Sequence, residues 1–266
     1  MFTKDSRILN NRLTVPLTSV SKAVGDVFKP TFNQLIKSLF ANSEQGFFYD
    51  PNDLSTMFQD AAGTVPVTGA GQAVGLILDK SGRNNHARQT TSASRPILRK
   101  NAVTSANYLE FDGADDFLMT SSFPSMGSAT TIFAGSRCNK AATSAVVARG
   151  ISGYIYQTYG QVSIQSVNNT ITLIQSGNTV ITAKYAASGT GATLKVNNLS
   201  STNPATTERG FMMGAPLVLG AFSNGGEVPL QGHIYCLIGI SKLTTDAESI
   251  AIEKELAKRT GVTLNV

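Results

Sequence analysis

From Gly46 onward the apolar residues of this chain recur at every second position, and that period limits its fold more than any other feature. Val74, Leu76 and Leu78 alternate, as do Val162 and Ile164, Ile171 and Leu173, and Leu194 and Val196. The longest run sets Ile234, Cys236, Ile238 and Ile240 on one face. A period of two sends successive side chains to opposite sides of a strand, so each segment reads as a strand with one buried face. Turn clusters separate them: Ser81-Gly82-Arg83-Asn84-Asn85, Ser176-Gly177-Asn178, Ser188-Gly189-Thr190-Gly191, Val196-Asn197-Asn198 and Ser223-Asn224-Gly225-Gly226. Short strands broken by turns every ~8–12 residues predict an all-β sandwich or barrel. The run Pro216–Phe222 is apolar on both faces, which suits a central strand between packed layers.

Composition agrees. With 266 residues, 24 glycines and 15% charged side chains, the chain suits a turn-rich β domain large enough to fold without disulfide staples. Cys138 and Cys236 both lie in apolar strand-like runs and read as small buried hydrophobes, with a single bridge between them left open. The net charge of +5 is spread without a basic run or interleaved aromatics, which argues against nucleic-acid binding. No apolar stretch approaches the ~20 residues of a membrane span. Charges in Met1-Phe-Thr-Lys-Asp-Ser-Arg-Ile stand where a signal peptide has its apolar core, so no export signal is expected.

Residues 1–45 read differently. Val20, Val24, Val27 and Phe28 fall on one helical face, and Pro30 interrupts that pattern. Phe32, Leu35, Ile36, Leu39 and Phe40 then repeat at i, i+3, i+4, i+7 and i+8, the strongest helical signal in the chain. Amphipathic helices of this kind either lie on the sandwich or dock into another protein. The reading favoured is an anchor, with Val24, Val27, Phe28, Phe32, Leu35, Ile36, Leu39 and Phe40 as docking residues. The chain closes on a helix: Thr245-Asp246-Ala247-Glu248 forms a capping box, Lys258 and Arg259 suit its negative end, and Gly261 supplies the stop. Two regions are therefore predicted, an anchoring segment at 1–45 and a sandwich at 46–266.

Two motifs carry a resemblance. Leu78-Asp79-Lys80-Ser81-Gly82-Arg83-Asn84-Asn85-His86-Ala87 is similar to the Asp-x-Ser-Gly-x-x-Asn-His element of laminin-G-like, concanavalin A-like jelly rolls. Tyr108-Leu109-Glu110-Phe111-Asp112-Gly113-Ala114-Asp115-Asp116-Phe117-Leu118 resembles their Phe-Asp-Gly-x-x-Asp-aromatic signature. The segments GFFYDPNDLSTMFQDAAGTVPV and IYCLIGISKLTTDAESIAIEKELAKRTGVTL resemble laminin-G-like virion proteins of tailed bacteriophages. That resemblance implies a jelly-roll virion component of head, tail or baseplate, made in the host cytoplasm. It also implies other phage structural proteins as partners through residues 1–45, a homo-oligomer such as a trimer, and host-surface polysaccharide as a ligand.

Three constellations are candidates for chemistry. Glu110-x-Asp112-x-x-Asp115 echoes the Glu-x-Asp-x-x-Glu strand of glycoside hydrolases on this fold, whose carboxylates flank the scissile bond. Here Gly113 breaks the strand and Asp115 stands where the longer Glu side chain is needed, so the carboxylates read as turn supports and no enzymatic activity is expected. Asp79, Asn84, Asp112 and Asp115 are hard oxygen ligands of the type a rim-bound calcium takes. Tyr154, Tyr156 and Tyr159 offer rings for the apolar face of a sugar, although the chain has no tryptophan. His86 and His233 are too few for a zinc centre, and His86 reads as a turn stabiliser.

Overall fold

The computed structural model describes residues 30–127, 129–148, 154–165, 170–186, 191–203, 215–223 and 226–265. Two antiparallel sheets pack face to face, as the alternation predicts. The first has eight strands. In spatial order it runs β15 (Leu199–Asn203), β14 (Ala192–Val196), β13 (Asn178–Tyr185), β8 (Thr130–Cys138), β17 (Gln231–Ile240), β6 (Asn107–Asp112) and β5 (Ile97–Lys100). β1 (Gly46–Tyr49) pairs with the other half of the β17 edge that β6 occupies. The second sheet has nine strands: β12 (Thr170–Ile174), β11 (Gln161–Gln165), β10 (Tyr154–Thr158), β9 (Ser144–Ala148), β16 (Val218–Leu219), β7 (Leu118–Thr120), β4 (Ala87–Arg88), β3 (Leu76–Ile77) and β2 (Met57–Phe58).

The inner faces bury Phe47, Tyr49, Leu109, Phe111, Ile132, Val147, Ile155, Ile181 and Leu219 in one core. A second core lies on the outer face of the eight-stranded sheet, where α1 (Phe32–Leu39) and α2 (Asp246–Thr260) cover Phe48, Phe133, Val180, Cys236, Ile238 and Ile240. β8, β13 and β17, apolar on both faces, thus lie between the second sheet and the helices, whereas β16 of the run 216–222 lies in the nine-stranded sheet with Leu217 and Leu219 in the inter-sheet core. The expected single face of Ile234, Cys236, Ile238 and Ile240 is broken by an irregularity between Ile234 and Cys236. Ile234 joins the inter-sheet core, whereas the other three face the helices. A bulge of this kind re-aims side chains by adding one residue to a strand. Cys138 faces the inter-sheet core and Cys236 the helices, so the thiols lie in different cores and are free.

The docking expectation for the second N-terminal stripe is corrected by its packing. Ile36, Leu39 and Phe40 are buried against the chain's own sandwich, and Phe32 and Leu35 are half-buried beside them. The reason lies in β1, whose Phe48 points away from the inter-sheet core and needs a cover; Phe32 meets it edge-on at 5.7 Å. Val24, Val27 and Phe28 lie outside the described residues. Polar contacts join the apolar ones around the helix. Arg259 of α2 donates to Asp50 at 2.5 Å and sits 4.6 Å from the Phe32 ring centroid. Arg83 reaches the carbonyl oxygens of Phe40 (2.8 Å) and Glu44 (2.7 Å).

The first motif is a carboxylate-centred turn. Asp79 Oδ1 accepts from the backbone N–H groups of Phe48 and Ser81, each at 2.8 Å. Its Oδ2 accepts from Ser81 Oγ at 2.7 Å and Asn85 N at 3.0 Å, while His86 Nδ1 accepts from Asp79 N at 3.0 Å. No helix among the described residues is long and apolar enough to cross a membrane.

The Asp50–Arg259 pair generates a direct prediction. Removing Arg259 leaves buried Asp50 with only the longer ionic contact to Lys80, 3.5 Å away, in place of the guanidinium, and breaking a buried pair in this way costs about 3–5 kcal/mol. Arg259→Met is therefore expected to lower Tm by roughly 6–15 °C in a thermal melt. Asp50→Leu combined with Arg259→Met is expected to recover most of that loss. A single variant melting like the wild type contradicts the role assigned to the pair.

Candidate functional site

α2 leaves one end of the eight-stranded sheet's outer face uncovered. Alternation along β6 buries Leu109 and Phe111 and turns Tyr108, Glu110 and Asp112 outward. At ~3.4 Å per residue these three span roughly 14 Å of one strand. Register supplies the flanks: β5 sets Arg99 opposite Tyr108, and β17 sets His233 opposite Glu110. β8 then sets Arg137 opposite His233. The result is a strip of aromatic and charged groups bounded by the C-terminal end of α2, where Asn178 Nδ2 donates to Thr260 O at 2.5 Å.

Tyr108 lies on the His233 imidazole, ring centroids 4.2 Å apart and planes 29° from parallel. Tyr235 packs beneath at 5.1 Å from Tyr108, its hydroxyl accepting from Asn101 Nδ2 at 3.0 Å. Arg99 Nε bonds Glu110 Oε2 at 2.7 Å across a solvent-facing pair, and Arg137 Nε bonds Asn139 Oδ1 at 2.7 Å. Burial, then the Arg137 charge, pulls the His233 pKa down to about 4, so the ring is neutral near pH 7. Its Nδ1 is buried and has no hydrogen-bond partner among the described residues. Burial followed by the Glu110 charge raises the Tyr108 hydroxyl above its ordinary range. Chemically, the strip pairs an aromatic surface with planar groups that can hydrogen-bond in pairs.

Beyond Glu110 the strand ends in a tight turn, with Gly113 at φ +83°. Its acids cluster: oxygens of Asp112, Asp115 and Asp116 all lie within 4.8 Å of one another. Asp112 Oδ1 accepts from Ala114 N at 2.8 Å, Asp115 Oδ2 from Ser94 Oγ at 2.6 Å, and Asp116 Oδ2 from Asp112 N at 3.0 Å. Asp116 is only 4% exposed, and burial first, then its acidic neighbours, pushes its pKa up to about 6. The calcium set expected from sequence is therefore split. Phe48, whose N–H bonds Asp79, pairs with Ile238, whereas Asp112 pairs with Gln231 seven positions along β17. That offset separates Asp79 and Asp112 by roughly 20 Å. Asp79 already accepts four hydrogen bonds and exposed Asn84 only turns the chain at φ +59°. Asp116, not singled out from the sequence, takes their place beside Asp112 and Asp115.

The tyrosines expected to form a sugar platform sit elsewhere, on the nine-stranded sheet. Tyr156 is half-buried with its ring 6.3 Å from Phe222, and Tyr159 is 57% exposed on the turn after β10. The Tyr154 side chain lies outside the described residues.

No protein-family model matches the chain, and no curated protein sequence matches it. Solved structures do. An arabinofuranosidase complexed with arabinofuranosyl-α-1,2-xylobiose is similar with a TM-score of 0.57 and 11% identity, over 85% of this chain and 65% of that one. The botulinum neurotoxin serotype D ligand-binding domain in complex with N-acetylneuraminic acid gives 0.54 and 11%, over 83% and 52%. The binding domain of Paraclostridial Mosquitocidal Protein 1 gives 0.51 and 13%, over 67% and 49%. The chain thus spans less than two thirds of each, and what they share with it is the sandwich fold. The expectation of no enzymatic activity is corrected here. Three of the similar structures are arabinofuranosidases, so this fold gives no ground for excluding glycoside chemistry.

The two perturbed groups respond to pH in opposite senses. His233, with its folded pKa below the ordinary 6.5, contributes stability above pH ~6.5 that is lost as pH falls toward 4. Asp116, raised from 3.8 to about 6, contributes stability at low pH that is lost as pH rises through 6. Asp116→Asn is therefore expected to melt about 5 °C above wild type at pH 7, the gap closing toward pH 4. His233→Gln is expected to gain on wild type as pH falls over the same window. Difference curves that stay flat for both variants contradict these assignments.

Proposed function

We propose that the protein binds glycans through the β6 strip, and that it does so as a component displayed on a tailed-bacteriophage particle. The observation that carries the binding reading is the juxtaposition of Tyr108 with Glu110, Arg99, His233 and Arg137 on a sheet face the helices leave open. A half-buried tyrosine offers an apolar surface to a sugar ring, while guanidinium and carboxylate groups select its hydroxyls. The fold supports it, since proteins sharing this sandwich occur in complex with N-acetylneuraminic acid and with an arabinofuranosyl xylobiose. The virion setting rests on the resemblance of the segments beginning at Gly46 and Ile234 to phage proteins.

A second reading, glycoside cleavage, is favoured by one observation. Asp116 holds a proton to about pH 6 beside exposed Asp112 and Asp115, with carboxylate oxygens within 4.8 Å. A carboxyl that stays protonated next to one that ionises is the division of labour glycosidases use. Release of 4-nitrophenol from aryl glycosides, arabinofuranosides included, lost in Asp112→Asn, Asp115→Asn and Asp116→Asn alike, is the expected result of that reading. No release from any substrate contradicts it.

Binding is tested on a glycan array and with bacterial surface polysaccharide. Tyr108→Ala and Arg137→Ala are each expected to weaken binding about tenfold or more, a loss of ~1.4 kcal/mol. Tyr159→Ala is expected to bind as wild type. A folded wild-type protein that binds nothing, or a Tyr108→Ala variant that binds fully, overturns the reading.

A further inference from the structure

Charge is spread unevenly over the sandwich. Lys, Arg, Asp and Glu make up 15% of the chain, yet residues 150–183 and 196–207 contain none of them and no histidine. The first stretch supplies β10, β11, β12 and most of β13, and the second supplies β15. Both sheets therefore end, on the same side of the sandwich, in a strand without charge: β12 in one and β15 in the other. The far end of the eight-stranded sheet differs, since β5 there carries Arg99 and Lys100. Charges on an edge strand, lysine above all, keep a second chain from adding to it. β12 has no such guard.

β12 reads Thr170-Ile171-Thr172-Leu173-Ile174, five residues of high strand propensity without proline. Ile171 is buried and Leu173 half-buried against the inter-sheet core, whereas Thr170, Thr172 and Ile174 are exposed, Ile174 at 76%. One edge of the strand pairs with β11 along its whole length. Its other edge has no neighbour in the sheet among the described residues, and such an edge presents the N–H and C=O groups to which a further strand can add.

We propose that this edge joins two copies of the chain, β12 to β12, as an antiparallel pair across a two-fold axis. Charge selects the occupant. An edge without charge has nothing to steer or hold a charged partner, and its complement is a strand equally free of charge. The same strand of a second copy meets that condition, and antiparallel pairing of identical strands is the self-complementary contact a two-fold axis generates. Centred on Thr172, the pairing sets Thr172 opposite its own copy. Thr170 of each chain then stands opposite Ile174 of the other, which covers the most exposed apolar side chain of the strand. The two nine-stranded sheets become continuous. Each chain has one β12, so the assembly closes at two copies. A two-fold thus replaces the trimer implied by the resemblance to virion proteins.

The test is the mass of the full chain by light scattering, over a concentration series reaching about 1 mM. The mass is expected to rise toward twice that of one chain. Thr172→Lys sets two ammonium groups opposite each other and is expected to weaken association about tenfold or more. Because Thr172 is exposed, the dilute variant is expected to melt as the dilute wild type does. Thr172→Cys is expected to yield a disulfide-linked dimer on mild oxidation, since directly opposed residues of an antiparallel pair stand about 4.5–5.5 Å apart, within reach of a disulfide. Val103→Cys, at a position 91% exposed, is expected to stay a single chain under the same treatment. The native Cys138 and Cys236 are 1% and 0% exposed and are expected to take no part. A wild-type protein of single-chain mass throughout the series overturns the proposal. A dimer that survives Thr172→Lys, or that fails to cross-link through position 172, also overturns it, because another surface then holds the copies.

Discussion

The buried contact between Asp50 and Arg259 joins the start of the sandwich to its end. Asp50 follows β1, the first strand, and Arg259 lies in the last turn of α2, so one ion pair at 2.5 Å closes a separation of 209 residues. The guanidinium also carries the Phe32 ring of α1. Both charges are nearly water-free, which makes the pair costly to break and demanding of geometry. Once α2 is held at that position, its apolar side covers Phe133, Ile238 and Ile240, and the outer face of the sheet is divided. One part becomes a second core and the other remains accessible.

That division accounts for the placement of the candidate site. The inter-sheet core anchors β6 through Leu109 and Phe111, which fixes Tyr108, Glu110 and Asp112 to the accessible side. Strands on a packed sheet hold side chains more rigidly than loops do, and here Tyr108 also packs against His233 and Tyr235 of the neighbouring strand. The same burial that orders the aromatic cluster leaves His233 neutral and its Nδ1 without a hydrogen-bond partner among the described residues, which costs stability.

Part of this was legible in the chain. Local periodicity showed the strands, the turn at Gly113 and the outward pair Glu110 and Asp112, because each depends on neighbours in sequence. The capping box at Thr245 and the left-handed stop at Gly261 were equally readable, and both occur. What escaped depends on pairing between distant segments. Arg99, Arg137 and His233 come from three other strands and meet β6 only through sheet register. Asp116 was hidden because spacing pointed to Asp115, whereas the turn carries the later residue inward to accept the Asp112 N–H. The helical stripe at Ile36 and Leu39 was visible, but its cover was not, since nothing local shows that Phe48 faces outward.

Saccharide recognition by the open end of the eight-stranded sheet, as proposed, is tested most directly by NMR shift mapping on the isotope-labelled protein during titration with an oligosaccharide that binds it. The largest perturbations are expected to cluster at Arg99, Tyr108, Glu110, Arg137 and His233, with the amides of α2 unmoved. Perturbations centred on Tyr156 and Tyr159, on the other sheet, would contradict it.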